Sequence, residues 1–277
     1  MSQNNIIQGI ALVDMDGTIT LGTEEQSQEN MWDAIDILCQ KANINPIERD
    51  IQRFAGMAPA DVYDQLINDN PQLSQGIGNN QFCEIFRDKC DYKSYNIQER
   101  EGMLDLLSDL RGSDIFSALV TNSSSQFKQK ALDTIFNKHS LSREHILPVT
   151  IDQATVLNAG GRPKPSKDPF DLGYEDTLNY ITAQGRTIAS DTPIAIIEDS
   201  NAGCQSAHAF RQSKGFDSLN CSIIQFVDQQ AVSHYADFHV KDVPQLRTVF
   251  HSLGWDISTD PMPTPRKSNT IKITLNK

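Results

Sequence analysis

Short polar motifs that directly follow apolar runs are the part of this sequence best suited to chemistry. Asp14 and Asp16 follow one such run, and Glu198 and Asp199 follow another. Carboxylate and carbonyl oxygens are the hard ligands that Mg²⁺ prefers, so the pattern predicts a magnesium site at Asp14, Asp199 and the backbone carbonyl of Asp16. Glu198 is either a further ligand or a neighbour of the ligands.

These acidic motifs have polar companions elsewhere in the chain. Thr121 and Asn122 follow the apolar run 116–120, and Lys164 lies in a segment rich in glycine and proline at 161–165. A threonine hydroxyl and amides at the start of a helix can donate to phosphate oxygens, and simple capping of that helix is compatible with this role. Lys164 adds a positive charge, although a solvated loop lysine would fit the same pattern. We therefore predict that Thr121, Asn122 and Lys164 bind substrate.

Together these groups suit phosphoryl transfer, in which the protein mainly supplies a nucleophile and neutralises the phosphate oxygens. With a cation holding the phosphate, the Asp14 carboxylate can attack phosphorus instead of repelling it. Asp16, two residues further on, can protonate the leaving oxygen and later deprotonate the attacking water. The predicted catalytic residues are therefore Asp14 and Asp16.

A βαβ rhythm predicts the elements that position these residues. Strands are expected at 9–13, 115–120, 146–150, 194–197, 221–227 and 237–240, with helices at 100–110, from 124, at 172–182 and from 202. This alternation indicates an α/β fold with a Rossmann-like, doubly wound and mostly parallel sheet. In such sheets ligands gather beyond the carboxyl ends of the strands, where the polar motifs lie.

Between the predicted strands at 9–13 and 115–120, the apolar residues recur at the spacing of an α-helix. Met31, Ile35 and Leu38 share one helix face, Asn45 and Pro46 resemble a helix start, and further helices are expected at 59–68 and 81–91. We predict an inserted all-helical cap at 21–94, a core at 1–20 and 95–254, and a C-terminal extension at 255–277. Residues 271–275 of that extension are either an added edge strand or a loose tail.

Charge and composition narrow the classes of partner. The net charge of −12 over 277 residues argues against nucleic acid or an anionic membrane surface, because both are negative. Residues 1–8 lack Lys and Arg, and no apolar run approaches the roughly 20 residues that cross a bilayer, so we expect a cytoplasmic protein. Five cysteines without a CxxC pair predict free thiols. We expect a monomer or weak homodimer that acts on a small phosphorylated metabolite.

The motifs at 14–18, 121–122, 164–165 and 198–203 occur in the order and context of the haloacid dehalogenase-like hydrolase superfamily. Over about residues 10–250 the chain resembles the helical-cap branch, which includes phosphoglycolate phosphatases and β-phosphoglucomutases. The resemblance implies a mobile four-helix cap, Asp14 as nucleophile, Asp16 as acid/base, and Mg²⁺ at Asp14, Asp16 and Asp199. The family segment Lys-Pro-x-Pro-Asp-x-Phe differs here, so Lys167 competes with Lys164 for the lysine role.

The resemblance favours a phosphatase of small phosphate monoesters and leaves two alternatives. A β-phosphoglucomutase-like enzyme normally has an arginine shortly after the glycine of its specificity loop, but Gly56 is followed by Met-Ala-Pro-Ala. A non-catalytic binding module would usually have lost one of the acids. Residues 54–57 lie where this branch presents its specificity loop, and simple packing is the competing interpretation.

Overall fold

A computed structural model of the chain describes residues 5–22, 24–50, 53–54, 57–90, 95–139, 141–227 and 231–257. Its strands are β1 (Gly9–Val13), β2 (Thr20–Leu21), β3 (Gln98–Glu99), β4 (Ile115–Val120), β5 (Val149–Ile151), β6 (Ile194–Glu198), β7 (Cys221–Phe226) and β8 (Phe238–Val240). Six of them form one parallel sheet in the order β5-β4-β1-β6-β7-β8, and β2 pairs antiparallel with β3. The predicted α/β class with a doubly wound parallel sheet is confirmed.

Helices connect the strands. They are α1 (Glu24–Lys41), α2 (Pro59–Asp69), α3 (Asn79–Lys89), α4 (Met103–Gly112), α5 (Ser125–His139), α6 (Arg143–Ile146), α7 (Gln153–Asn158), α8 (Asp168–Ala183), α9 (Asn201–Lys214) and α10 (Val243–Ser252), with a 3₁₀-helix at Pro71–Gln75. The predicted strand at 146–150 begins only at Val149. The reason is that the Ser142 side chain caps α6 by accepting from the His145 amide, which keeps residues 143–146 helical.

The parallel sheet has an apolar core on each face. Along β1, Ala11 and Val13 belong to one cluster of buried residues, and Ile10 and Leu12 belong to the other. The first cluster is completed by α4, α5 and α10, and the second by α8 and α9. Because side chains alternate along a strand and both faces are covered, the central strands β1, β4 and β6 are apolar apart from Ser117, and their apolar runs end at buried polar residues.

The segment between β2 and β3 has an apolar cluster of its own. Trp32 and Leu38 of α1, Val62 and Leu66 of α2, and Phe82 of α3 are buried in it. A separate cluster is what an inserted helical unit requires for its stability. The predicted division into core, cap and extension nevertheless stays a prediction.

The predicted helix start at Asn45 and Pro46 is wrong, because residues 44–50 are not helical. Asn43 adopts a left-handed φ of 56°, which turns the chain at the end of α1. Arg49 of the following segment then donates from Nη2 to Asp36 Oδ2 of α1 at 2.6 Å. The Asn-Pro pair therefore lies in an irregular segment held against α1.

Trp255, just after α10, belongs to the core of the sheet. It is buried, its ring stacks on Phe250 with centroids 4.6 Å apart, and it packs so closely on Gly9 of β1 that a Cβ there would lie 2.7 Å from the indole.

Residues 271–275, predicted as edge strand or tail, lie outside the described residues. All five cysteines are free thiols. No helix in the described part of the chain is long and apolar enough to span a bilayer.

Candidate active site

The strand order brings the predicted site residues to one edge of the sheet. β1 lies between β4 and β6, and Val13 is level with the ends of both neighbours. The Asp14 amide extends this pairing by donating to the Ile197 carbonyl at 2.9 Å. Since all three strands run in the same direction, Asp14, Thr121 and Glu198 emerge side by side.

Three carboxylates converge there. Asp14, Glu198 and Asp199 are buried, and one oxygen of each lies within 4.8 Å of the other two. The side chain of Asp16 is not a member of this cluster. That placement is compatible with the prediction that Asp16 offers its backbone carbonyl, which stays a prediction.

Lys164 supplies the cation of this cluster. Its Nζ donates to Asp14 Oδ1 at 2.7 Å, to Glu198 Oε1 at 2.5 Å and to the Val120 carbonyl at 2.6 Å, and the side chain is only 2% exposed. Burial alone would lower the pKa of Lys164, but the charges of Asp14 and Glu198 outweigh it and raise that pKa above its ordinary value. Lys164 therefore carries a fixed positive charge.

Lys167, the competing lysine, points elsewhere. It is paired with Asp171 one turn further along α8, and its side chain is 43% exposed. Asn122 lines the same cavity as Asp14, and its amide group also bonds to both sides of the Lys164 backbone. Asn122 Oδ1 accepts from the Lys164 amide at 2.9 Å and its Nδ2 donates to the Lys164 carbonyl at 3.1 Å. Asn122 thus positions the lysine, and its contact with substrate stays a prediction.

The Glu198 side chain packs closely against α9. Burial and the charge of Asp14 raise the pKa of Glu198 to about 7, although Lys164 and Ser200 oppose the shift. The carboxylate fits only because residue 203 is glycine: a Cβ there would lie 1.9 Å from Glu198 Oε2. The motif at 198–203 therefore needs Gly203 for space as well as its acids for charge.

We expect Gly203→Ala to destabilise the protein by roughly 2 kcal/mol, because the methyl group would displace the Glu198 carboxylate and strain its packing. At an ordinary helix position the same change would stabilise. Gly78→Ala, at the N-cap of α3, is the control for a methyl group that has room, since Gly78 has a φ of −83° and no atom lies within 4 Å of its would-be Cβ; it should cost less than about 1 kcal/mol, because alanine is a poorer cap than glycine. Urea unfolding measures both variants, and equal stabilities would contradict the close contact.

Two residues that the motifs do not include hold the loop of Asp16. The Ser123 hydroxyl donates to Asp16 Oδ2, while the Ser123 amide donates to Thr121 Oγ1 at 3.0 Å. Ser124 caps α5 by accepting from the Phe127 amide at 3.2 Å. The run of polar residues after β4 was the available signal for Ser123.

Arg100 is the second such residue, and it lies far from the motifs in sequence. Its guanidinium is buried over the Phe226 ring at 4.0 Å from the centroid. It donates to the Thr18 carbonyl at 3.0 Å and to the Gly17 carbonyl, in the turn that follows Asp16. Arg100 therefore braces the turn that carries Asp16.

Comparison with known proteins identifies the fold. No family model matches the sequence, and no curated protein matches it. Among solved structures, CbbY from Rhodobacter sphaeroides in complex with xylulose 1,5-bisphosphate has a TM-score of 0.59 at 16% identity, covering 87% of this chain and 96% of that one. A conserved haloacid dehalogenase-like protein of unknown function from Agrobacterium tumefaciens has a TM-score of 0.52 at 18% identity, covering 88% and 98%. This chain has the haloacid dehalogenase-like fold. A predicted phosphatase from Clostridium acetobutylicum shares it with a TM-score of 0.55 at 14% identity, covering 89% and 99%.

In this haloacid dehalogenase-like fold, a cavity of about 380 Å³ opens over the acidic cluster. Asp14, Asp16 and Asp199 line one end, and side chains of α1 and α3 line another part of the wall. Phe54 and Met57 of the predicted specificity segment also line it, while Ala55 and Gly56 lie outside the described residues. Sequence reasoning missed one further lining residue of consequence, Arg87.

Proposed function

We propose that this chain is a Mg²⁺-dependent phosphatase that hydrolyses a small phosphate monoester through a phosphorylated Asp14. One observation carries the proposal. The Asp14 carboxylate lines the cavity, lies within a cluster of three buried carboxylates, and receives a hydrogen bond from a buried lysine. A carboxylate so placed is both oriented and partly neutralised, as a nucleophile toward phosphorus must be.

The donor set fits Mg²⁺. The cluster offers oxygen ligands alone, and one ammonium group stands against three carboxylates, which leaves negative charge for a divalent cation to neutralise. We assign Asp14 and Asp199 to the ion, with the Asp16 backbone carbonyl, and place Glu198 beside Lys164. When bound, the ion would neutralise the phosphate oxygens and so lower the barrier to attack by an anion.

The residues of the chain divide the reaction between them. Asp14 Oδ1 accepts from Lys164, so we assign Oδ2 to the attack. The bond from Oδ2 to phosphorus forms as the ester bond breaks, and Asp16, oriented by Ser123, gives its proton to the departing oxygen. Asp16 then takes a proton from water, which attacks phosphorus and releases Asp14 and inorganic phosphate.

The cavity size supports a small substrate. A volume of about 380 Å³ lies near the lower end of ordinary small-molecule sites, roughly 300–1,000 Å³. The helices that line the cavity would also limit the access of water to the phosphorylated Asp14. We propose a compact phosphorylated metabolite and no macromolecular partner.

The test is release of inorganic phosphate by the purified chain, first from an aryl phosphate and then from a panel of phosphorylated metabolites, with Mg²⁺ and with a chelator. The proposal expects turnover that needs the metal ion. Binding of panel members without phosphate release would indicate a non-catalytic module instead. Transfer of phosphate to a second sugar phosphate, with no release to water, would indicate a mutase.

A further inference from the structure

One cation at the cavity has no task in the proposed hydrolysis. Arg87 lies in the last turn of α3 and lines the same cavity as Asp14. Within the described part of the chain its guanidinium makes no hydrogen bond or ion pair, and the side chain is exposed toward solvent. Its donors are therefore available to a ligand.

The other charged residues of the cavity lining show why Arg87 matters. Among the described lining residues, only Arg87 and Lys164 are cationic, whereas three aspartates line the acidic end. Lys164 is already committed to Asp14 and Glu198. Arg87 is thus the single described lining cation that still has its charge to offer to an incoming anion.

Much of the rest of the cavity lining is apolar. Trp32, Phe54, Met57 and Phe86 line it, with Phe54 5.5 Å from Trp32 between ring centroids. Such a wall accommodates a short carbon skeleton but gives little support to a charge. A charged group on the part of the substrate remote from Asp14 would therefore find its counter-charge at Arg87, whose planar fork matches carboxylate and phosphate oxygens.

We propose that Arg87 binds an anionic group on the leaving part of the substrate, so that the enzyme prefers phosphate monoesters that carry a second anionic group. The inference rests on the proposed phosphatase function and names its substrate class. Arg87 acts as a specificity residue, because the transferred phosphate stays at Asp14 in every case.

The experiment compares three esters of one carbon skeleton: n-propyl phosphate, the same ester with a terminal carboxylate, and the same ester with a terminal phosphate. In the wild type we expect kcat/KM for the better of the two anionic esters to exceed that for n-propyl phosphate by about tenfold. Whether carboxylate or phosphate is the better group identifies the anion. Arg87→Met should remove the preference by raising KM for the anionic esters, while kcat/KM for n-propyl phosphate stays unchanged. Arg87→Lys should keep part of the preference.

Lys89→Met is the matched control. Lys89 lies in the same last turn of α3 and is exposed, but it does not line the cavity. The Lys89→Met variant removes the same charge from the same helix. Because Lys89 does not line the cavity, kcat/KM for all three esters should stay unchanged. An equal loss of preference in Lys89→Met would show a general field effect and overturn the assignment.

Two other outcomes also overturn it. One is that the wild type hydrolyses all three esters without preference, or that Arg87→Met lowers kcat/KM for all three by the same factor. In that case the anion subsite is wrong and the phosphatase proposal stands. If the wild type hydrolyses neither these esters nor an aryl phosphate, the phosphatase proposal fails and this inference fails with it.

Discussion

Asp14→Asn should abolish phosphate release while the protein stays folded. A carboxamide cannot form the phosphorylated intermediate, so we expect kcat to fall by at least about 10³-fold. The fold should persist because Lys164 keeps its bond to Glu198 at 2.5 Å and to the Val120 carbonyl at 2.6 Å. The variant also removes one of three mutually repelling carboxylates from the cluster.

Steady-state kinetics with an aryl phosphate measure the loss, and urea unfolding checks the fold. Acid-quenched wild-type protein should carry a phosphoryl group that the variant lacks, detectable as a mass increase. Asp176→Asn is the control, since Asp176 is an exposed aspartate on α8 outside the cavity lining. Retention of more than about 0.1% of the wild-type rate would show that Asp14 is not the nucleophile.

Lys164→Met should cost more stability than any other single change in the site. It would leave Asp14 and Glu198 buried without their counter-ion, and breaking a buried pair in this way costs roughly 3–5 kcal/mol. The matched control is Lys167→Met, three residues away, whose lysine is half-exposed and paired on the surface with Asp171. We expect that control to lie within about 0.5 kcal/mol of the wild type.

The Lys164→Met variant should recover stability as the pH falls. Even with Lys164 present, burial raises the pKa of Glu198 from 4.5 to about 7, and loss of the lysine removes the main influence that lowers it. A carboxyl group with a raised pKa binds its proton more tightly in the folded state, so stability decreases as the pH rises from 4.5 through the folded pKa.

Urea unfolding of the variant between pH 5 and pH 7.5, with a chelator present, measures this dependence. The double variant Lys164→Met/Glu198→Gln should be more stable than the single variant at pH 7.5 and should depend less on pH. A single variant as stable as the wild type at neutral pH would show that the buried charges are not coupled as described.

Much of the fold was predictable because the central strands are buried on both faces. Such strands are apolar along nearly their whole length, so 9–13, 115–120 and 194–197 were recognisable as apolar runs, broken only by Ser117, with abrupt polar ends. Parallel strands emerge at one edge of the sheet, and for that reason Asp14 and Asp199 could be assigned to one place from sequence. The Asn45 and Pro46 prediction failed because a helix start is a local pattern, whereas contact with α1 decided that segment.

The amino-acid sequence by itself determined the chemical types at the site and the strand ends that carry them: acids at the ends of β1 and β6, and a lysine between two prolines. Only the tertiary structure decided which of two lysines meets Asp14, that Asn122 holds the lysine backbone, that Ser123 and Arg87 line the cavity, and that Arg100 braces the turn after Asp16. The physical reason is distance along the chain. Alternation and apolar runs report on neighbours in sequence, while these contacts join segments that only folding brings together.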